Sequence, residues 1–279
     1  MTAEFATPAS EELLRRRPLR RLVEPWLERR FTYGRYDRFL AGLQERDAWV
    51  GPLAELRTVP REHLAVGLRH DVDDRLASAL QLARLEARRG LRATYFLLHT
   101  APYYRRERSV MKAFRELQDG LGHEVGIHYD VLSLQLAEGA DARAVLRDEL
   151  AWLRSGGLRI GGAASHGSYW SHKLGFANAD FFAAEPRFVD GVELARGTLA
   201  EYGLDYEAYA LGNEHARSDA HFDASGRRWH PELLAHESFR PGERIVVLTH
   251  PCLWDASVAA KAVRTTARLV RSVVRRRRV

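Results

Sequence analysis

Cysteine is nearly absent from this chain. Cys252 is the only one among 279 residues, and a single thiol excludes any internal disulfide framework. Long apolar runs are missing too: no early segment has the stretch expected of a signal peptide or a membrane span, so a cytoplasmic location is the expectation. Lysine is scarce, standing only at Lys112, Lys173 and Lys261, so the 43 basic residues are almost all arginine, spread among 37 acidic ones. The net charge of +6 is therefore a bias of composition. With no nucleic-acid-binding motif beside it, a nucleic-acid partner is not expected. Two basic clusters stand out, Arg15-Arg16-Arg17 with Arg20-Arg21, and the terminal Arg275-Arg276-Arg277-Arg278. A solvated helix face and a frayed tail account for them, the alternative for the terminal run being a weak contact with a membrane surface.

The apolar share of 46% is ample for the core of one large barrel or sandwich, or of two modest domains. Residues 11–58 read as helices, with Phe31, Tyr33, Tyr36, Phe39 and Leu40 marking an aromatic packing face. Residues 1–60 are accordingly expected to form an N-terminal helical extension, and 61–279 the main domain. In that domain strand signals recur at 64–71, 92–98, 123–128, 159–165, 204–210, 218–223 and 244–250. Helical spacing recurs at 74–89, 107–119, 141–154 and 256–275. Seven strands interleaved with helices predict an α/β fold with a mainly parallel sheet.

The chemistry begins at Leu68-Arg69-His70-Asp71-Val72-Asp73-Asp74. Residues two apart on a strand share a face, so Asp71 and Asp73 are expected to enter one cavity together with Arg69. Adjacent carboxylates repel unless one is protonated or a cation lies between them, which reads as a metal or acid–base site. Asp74 precedes a helical run and reads as its cap. A strand that ends in carboxylates and runs straight into a helix places them at the C-terminal rim of a parallel sheet or barrel, where such folds keep their chemistry.

Four further segments end in reactive side chains. In Gly122-His123-Glu124-Val125-Gly126-Ile127-His128-Tyr129-Asp130, the two histidines are five apart and face opposite ways. His128, at the strand end, is the candidate ligand, and His123 reads as a packed or hydrogen-bonded histidine. Asp130 shares the parity of His128. Ala163-Ala164-Ser165-His166-Gly167-Ser168 surrounds one histidine with small residues that leave room for a ligand. Phe222-Asp223-Ala224-Ser225-Gly226-Arg227-Arg228-Trp229 is a polar turn ending in an aromatic, and Ile245-Val246-Val247-Leu248-Thr249-His250 is a buried strand delivering His250.

As an ordered set over residues 64–254, these segments resemble the NodB-homology polysaccharide deacetylases, a carbohydrate esterase family with a distorted (β/α) barrel. The resemblance implies a metal-dependent hydrolase that removes an N-acyl group from a sugar of a polysaccharide or its precursor. It makes Asp71 the catalytic base and Asp73 a metal ligand, in an Asp-x-Asp branch of the family, with His128 a second ligand and His250 the general acid. Two departures are visible: the position of the family's second metal histidine is Leu132, and its usual arginine is replaced by Ser165-His166-Gly167. His166 is expected to supply the missing ligand and Arg69 the missing positive charge beside Asp71. Asp223 is then expected to orient His250, with Trp229 and Arg228 lining the sugar pocket. Zinc is the expected metal, since three protein ligands with one open position is its usual catalytic arrangement. Two alternatives stay open: a barrel that binds a glycan without cleaving it, and a cysteine hydrolase built on Cys252 and His250.

Overall fold

The computed structural model describes residues 31–211, 216–220, 228–236 and 239–260; Asp223 and the terminal arginine run lie outside them. Tyr36–Cys252 form one compact unit, and the described residues on either side belong to a second. Within the second, Thr32 bridges Asp255 in parallel, and the rings of Phe31 and Trp254 meet edge to face at 5.1 Å. No helix among the described residues is long and apolar enough to cross a membrane.

The main unit is built on a parallel sheet. Its strands are β1 (Trp49–Gly51), β2 (Ala65–Val72), β3 (Thr94–Leu98), β4 (Glu124–Tyr129), β5 (Gly162–Ser165), β8 (Tyr206–Glu207), β9 (Ala216–Ser218) and β10 (Arg244–Thr249). Seven of them follow the order β8-β5-β4-β3-β2-β10-β9 and curl into a half-barrel flanked by helices. The eighth, β1, pairs with Ala65–Gly67 while β3 pairs with β2 from Arg69 onward. Since β10 occupies the opposite edge of β2, β1 and β3 share one edge end to end. Helices follow the strands: α3 (Leu76–Arg88) after β2, α4 (Arg108–Arg115) after β3, α5 (Val131–Glu138) and α6 (Ala142–Ser155) after β4, α7 (Tyr169–Leu174) after β5, and α8 (Ala208–Leu211) after β8, with α1 (Tyr33–Glu45) and α2 (Leu53–Leu56) before β2. A small hairpin of β6 (Phe188–Val189) and β7 (Val192–Glu193) turns at Asp190-Gly191, both with positive φ, as a two-residue turn requires.

Three expectations are corrected. Residues 49–51 form β1 and not helix, because a β-branched and an aromatic residue there find an open edge of β2 to pair with. The predicted strand at 218–223 lies earlier, at Ala216–Ser218, where it pairs with Val246–Leu248. Helix α3 starts without a side-chain cap, its N-cap position being Arg75, so Asp74 does not cap it.

Every residue of β2 is buried, which requires two covered faces. Val66, Leu68, His70 and Val72 face the helices; Ala65, Gly67, Arg69 and Asp71 face the lumen. In parallel ladders paired residues share a face, so the register carries the lumen side through Leu98, His128 and Ala164 and back through Leu248 and Arg69. The base of the lumen is filled by α2. Leu53 and Leu56 pack with Val59, Ala65, Phe96, Ala164, Tyr206 and Val246, each leucine contributing roughly 1.5–3 kcal/mol by burial. Glycine is needed where these layers meet: a Cβ on Gly67 would come within 2.7 Å of Leu53, and one on Gly126 within 2.7 Å of the Gly162 carbonyl oxygen. Glu124 closes the floor, accepting from Thr94 Oγ1 at 2.6 Å and Tyr206 OH at 2.7 Å. Behind β2, the buried Glu86 of α3 accepts from Tyr36 OH (2.5 Å) and Tyr95 OH (2.7 Å) and faces His70 Nε2 at 2.7 Å. Burial pushes the Glu86 carboxyl up, but His70 and these hydrogen bonds outweigh it and hold it below its ordinary value.

Candidate metal centre

Parity along the strands, carried to their C-terminal ends, brings side chains from β2, β4, β5 and β10 to one rim of the half-barrel. One ligand atom each from Asp73, His128 and His166 lies within 4.8 Å of the others. The histidine protons are placed by their outer partners. His128 Nδ1 lies 2.9 Å from the Ala164 carbonyl oxygen, which can only accept, so Nδ1 carries the proton and Nε2 faces Asp73 Oδ1 at 3.4 Å. His166 Nδ1 likewise donates to Asp130 Oδ2 at 3.2 Å, leaving Nε2 as the available ring nitrogen. Asp73 Oδ1 is buried and has no hydrogen-bond partner among the described residues.

These residues fit a divalent cation. Two ligand atoms on a tetrahedral zinc lie roughly 3.3 Å apart, given bonds of about 2.0–2.2 Å, which is close to the His128–Asp73 separation. A cation also satisfies the orphaned Asp73 oxygen, and histidines oriented by a carbonyl and a carboxylate are what metal ligands ordinarily display. Without a cation, burial lowers the His128 pKa, but Asp71 and Asp73 outweigh it and the net shift is upward.

Asp71 is gripped by Arg69 through two parallel bonds, Nε to Oδ1 and Nη2 to Oδ2, both 2.8 Å, with both residues buried. The Tyr209 ring lies 4.2 Å from the Arg69 guanidinium carbon. Burial works against an ionised Asp71, yet Arg69, followed by His128, holds its carboxyl far below the usual range. Asp71 Oδ2 is 3.5 Å from His128 Nε2.

His250 stands at the end of β10. Asp219, fully buried just past β9, accepts from His250 Nδ1 at 2.5 Å and from its backbone N–H at 2.8 Å. Burial would lower the His250 pKa; Asp219, then Asp73 and Asp71, push it up to about 9. The imidazolium therefore presents its Nε2 proton to the lumen, 3.8 Å from Asp73 Oδ2.

The predicted residues thus divide. Asp71, Asp73, His128, His166, Arg69 and His250 lie in one constellation, whereas Asp223 lies outside the described residues and Asp219 holds His250. Arg228 donates through Nη1 to the Asp219 carbonyl at 2.9 Å, and its neighbour Trp229 is half-buried. Leu132, fully buried on α5, faces the core. His123 accepts from Ala93 N–H at Nδ1 and donates from Nε2 to the Ala83 carbonyl, so both ring nitrogens are spent on backbone. Cys252 is half-buried; burial first, then Asp73 and Asp219, raise its thiol far above its ordinary pKa, which removes the thiolate a cysteine hydrolase needs. Sequence reasoning missed Asp219, Glu207 and His99. Glu207 lies at the end of β8 and accepts from the Ser165 backbone N–H at 3.0 Å. His99, just past β3, accepts the Asp130 N–H on Nε2 at 3.0 Å, and burial above all lowers its pKa to about 4. Asp219 carries one signal, an aspartate directly after a short polar strand, but the expected strand at 218–223 encloses it instead of ending before it.

No family model and no curated protein matches this chain. Solved structures resemble it distantly. A CE4 esterase from Streptococcus mutans is 15% identical, over 82% of this chain and 89% of that one, with a TM-score of 0.45. A family 4 carbohydrate esterase from Streptomyces lividans, in complex with acetate, is 18% identical over 72% and 87%, with a TM-score of 0.37. A CE4 family pseudoenzyme from Bacillus anthracis is 15% identical over 74% and 60%, with a TM-score of 0.36.

Proposed function

We propose that this chain is a metal-dependent hydrolase that removes an N-acyl group, acetyl in the simplest case, from a sugar of a polysaccharide or its precursor. The observation that carries it is the convergence of Asp73, His128 and His166, each histidine with its Nδ1 spent on an outer partner, beside a separate acid and base. These three residues would hold a divalent cation, zinc by the ligand set, which would supply Lewis acidity for activating water and an acyl carbonyl.

The chain's own groups do the rest. Asp71, kept ionised by Arg69, accepts the proton of the attacking water at a carboxylate oxygen. His250, kept protonated by Asp219, donates from Nε2 to the departing amine nitrogen. The C–O bond forms first, and the C–N bond breaks as the nitrogen is protonated, giving a carboxylic acid and a free amino sugar. Base and acid are held in opposite charge states by different partners, Arg69 for one and Asp219 for the other, as a two-proton reaction near neutral pH requires. Trp229 and Arg228 are proposed to border the sugar.

The test is metal content and acetate release from N-acetylated sugar oligomers by wild type and His166→Ala. The proposal expects about one zinc per chain and measurable acetate from wild type, with both lost in the variant. Stoichiometric metal without release from any N-acylated sugar would favour a glycan-binding barrel; no bound metal would end the proposal.

A further inference from the structure

Asn178 opens a 3₁₀ turn (Asn178–Phe182), is 1% exposed, and carries no ionisable group, yet it uses its whole side chain next to the rim. Its Oδ1 accepts from the backbone N–H of Leu132 (3.0 Å) and of Ser133 (3.3 Å), two of the unpaired donors at the start of α5. Its Nδ2 donates to Asp130 Oδ1 at 2.7 Å, to the His166 carbonyl at 2.8 Å and to Ser133 Oγ at 3.2 Å. The amide cannot be turned round, because backbone N–H groups only donate and a carboxylate and a carbonyl only accept. One side chain therefore joins three things: the helix start that follows His128, the carboxylate that receives the His166 Nδ1 proton, and the backbone of His166 itself.

We propose that Asn178 is a positioning residue of the metal centre. It fixes the Asp130 carboxylate, and through it the tautomer and ring orientation of His166. This rests on the reading of His166 as a ligand. Asp130 has one oxygen for Asn178 and the other for His166, so turning the carboxylate breaks both bonds. The arrangement also shows what Leu132 does in place of a ligand: it packs in the core and lends its backbone N–H to the clamp. The third ligand atom then comes from the loop after β5, which needs tethering, and Asn178 tethers it at the His166 carbonyl.

The decisive substitution is Asn178→Asp. It keeps the size and the acceptor for α5, but sets a second carboxylate against Asp130 Oδ1 and the His166 carbonyl. Metal-stripped full-length protein is titrated with Co²⁺ and Zn²⁺ against a competing chelator, and the His166 ring nitrogens are followed by ¹⁵N NMR without metal. In the wild type the His166 proton is expected on Nδ1. In Asn178→Asp that preference is expected to be lost, with metal affinity down about 10–100-fold at unchanged stoichiometry and an altered Co²⁺ absorption spectrum. Affinity within twofold of wild type, or a wild-type His166 protonated on Nε2, overturns the proposal. Should Asn178→Asp not fold, Asp130→Asn addresses the same link with the same expectation, and the wild-type tautomer needs no variant. A wild type that binds no metal but shows the Nδ1 tautomer, lost in the variant, would sink the ligand reading while leaving the clamp standing.

Discussion

Replacing Arg69 with leucine should expose how much of the rim depends on one ion pair. Arg69 and Asp71 are 2% and 1% exposed and share two 2.8 Å bonds. Removing one partner of a buried pair leaves an uncompensated charge and costs about 3–5 kcal/mol. With about 2–4 °C of melting temperature per kcal/mol in a domain of this size, Arg69→Leu should melt roughly 6–20 °C below wild type. The loss depends on pH in a defined direction. Asp71 has a folded pKa below its unfolded one, so the stability it lends is present above about pH 4 and declines as acid protonates it. Arg69→Leu should therefore be furthest below wild type near neutrality, and the gap should narrow toward pH 4, where the stranded carboxyl takes up a proton. The companion Arg69→Leu/Asp71→Leu, which removes both charges, should recover most of the stability while abolishing hydrolysis. Thermal melts of the single and double variants, in chelator to keep any cation from replacing Arg69, close the cycle. A deficit under about 1 kcal/mol that does not vary with pH, or additive single effects, would refute the account of the Asp71 charge.

Asp219→Asn should lower kcat by about 10²–10⁴-fold with KM little changed, because the amide that replaces the carboxylate no longer charges and fixes the His250 ring; steady-state acetate release measures it. Glu86→Gln should destabilise at neutral pH by about 3 kcal/mol or more, at about 1.5–3 kcal/mol for each charge-assisted hydrogen bond lost. Because the folded pKa of Glu86 lies below its ordinary value, the stability it lends is complete above roughly pH 5 and fades with acid. Urea unfolding of the variant should accordingly show a shallower acid limb than wild type. Metal affinity should rise with pH, since a cation must displace the proton that Asp71 and Asp73 favour on His128; calorimetric titration from pH 6 to 8 would show it, and flat affinity would count against His128 as a ligand.

Much of this was legible in the sequence because a strand is a period-two object. Once 65–72 is a strand, Arg69 and Asp71 must share a face whatever surrounds them, and the same parity takes His128 and His250 to the rim. What the pattern could not supply was register between strands far apart in the chain. Asp219 holds His250 because β9 pairs with β10 three residues deep, a fact no local spacing contains. The strand Trp49–Gly51 was hidden for a similar reason: three residues show no period, and only the free edge of β2 makes them extended. His166 was legible as a strand-end histidine, but its partner Asp130 was visible only as a carboxylate of the right parity, 36 residues away.

Leu53 and Leu56 stop the lumen from below, with Glu124 and Tyr206 bolted across behind them. The lumen is thus closed at its base. Nothing can pass through that floor, so on the proposed reading a glycan meets the rim from its open side, and the released acid and the bared amine leave on that side too.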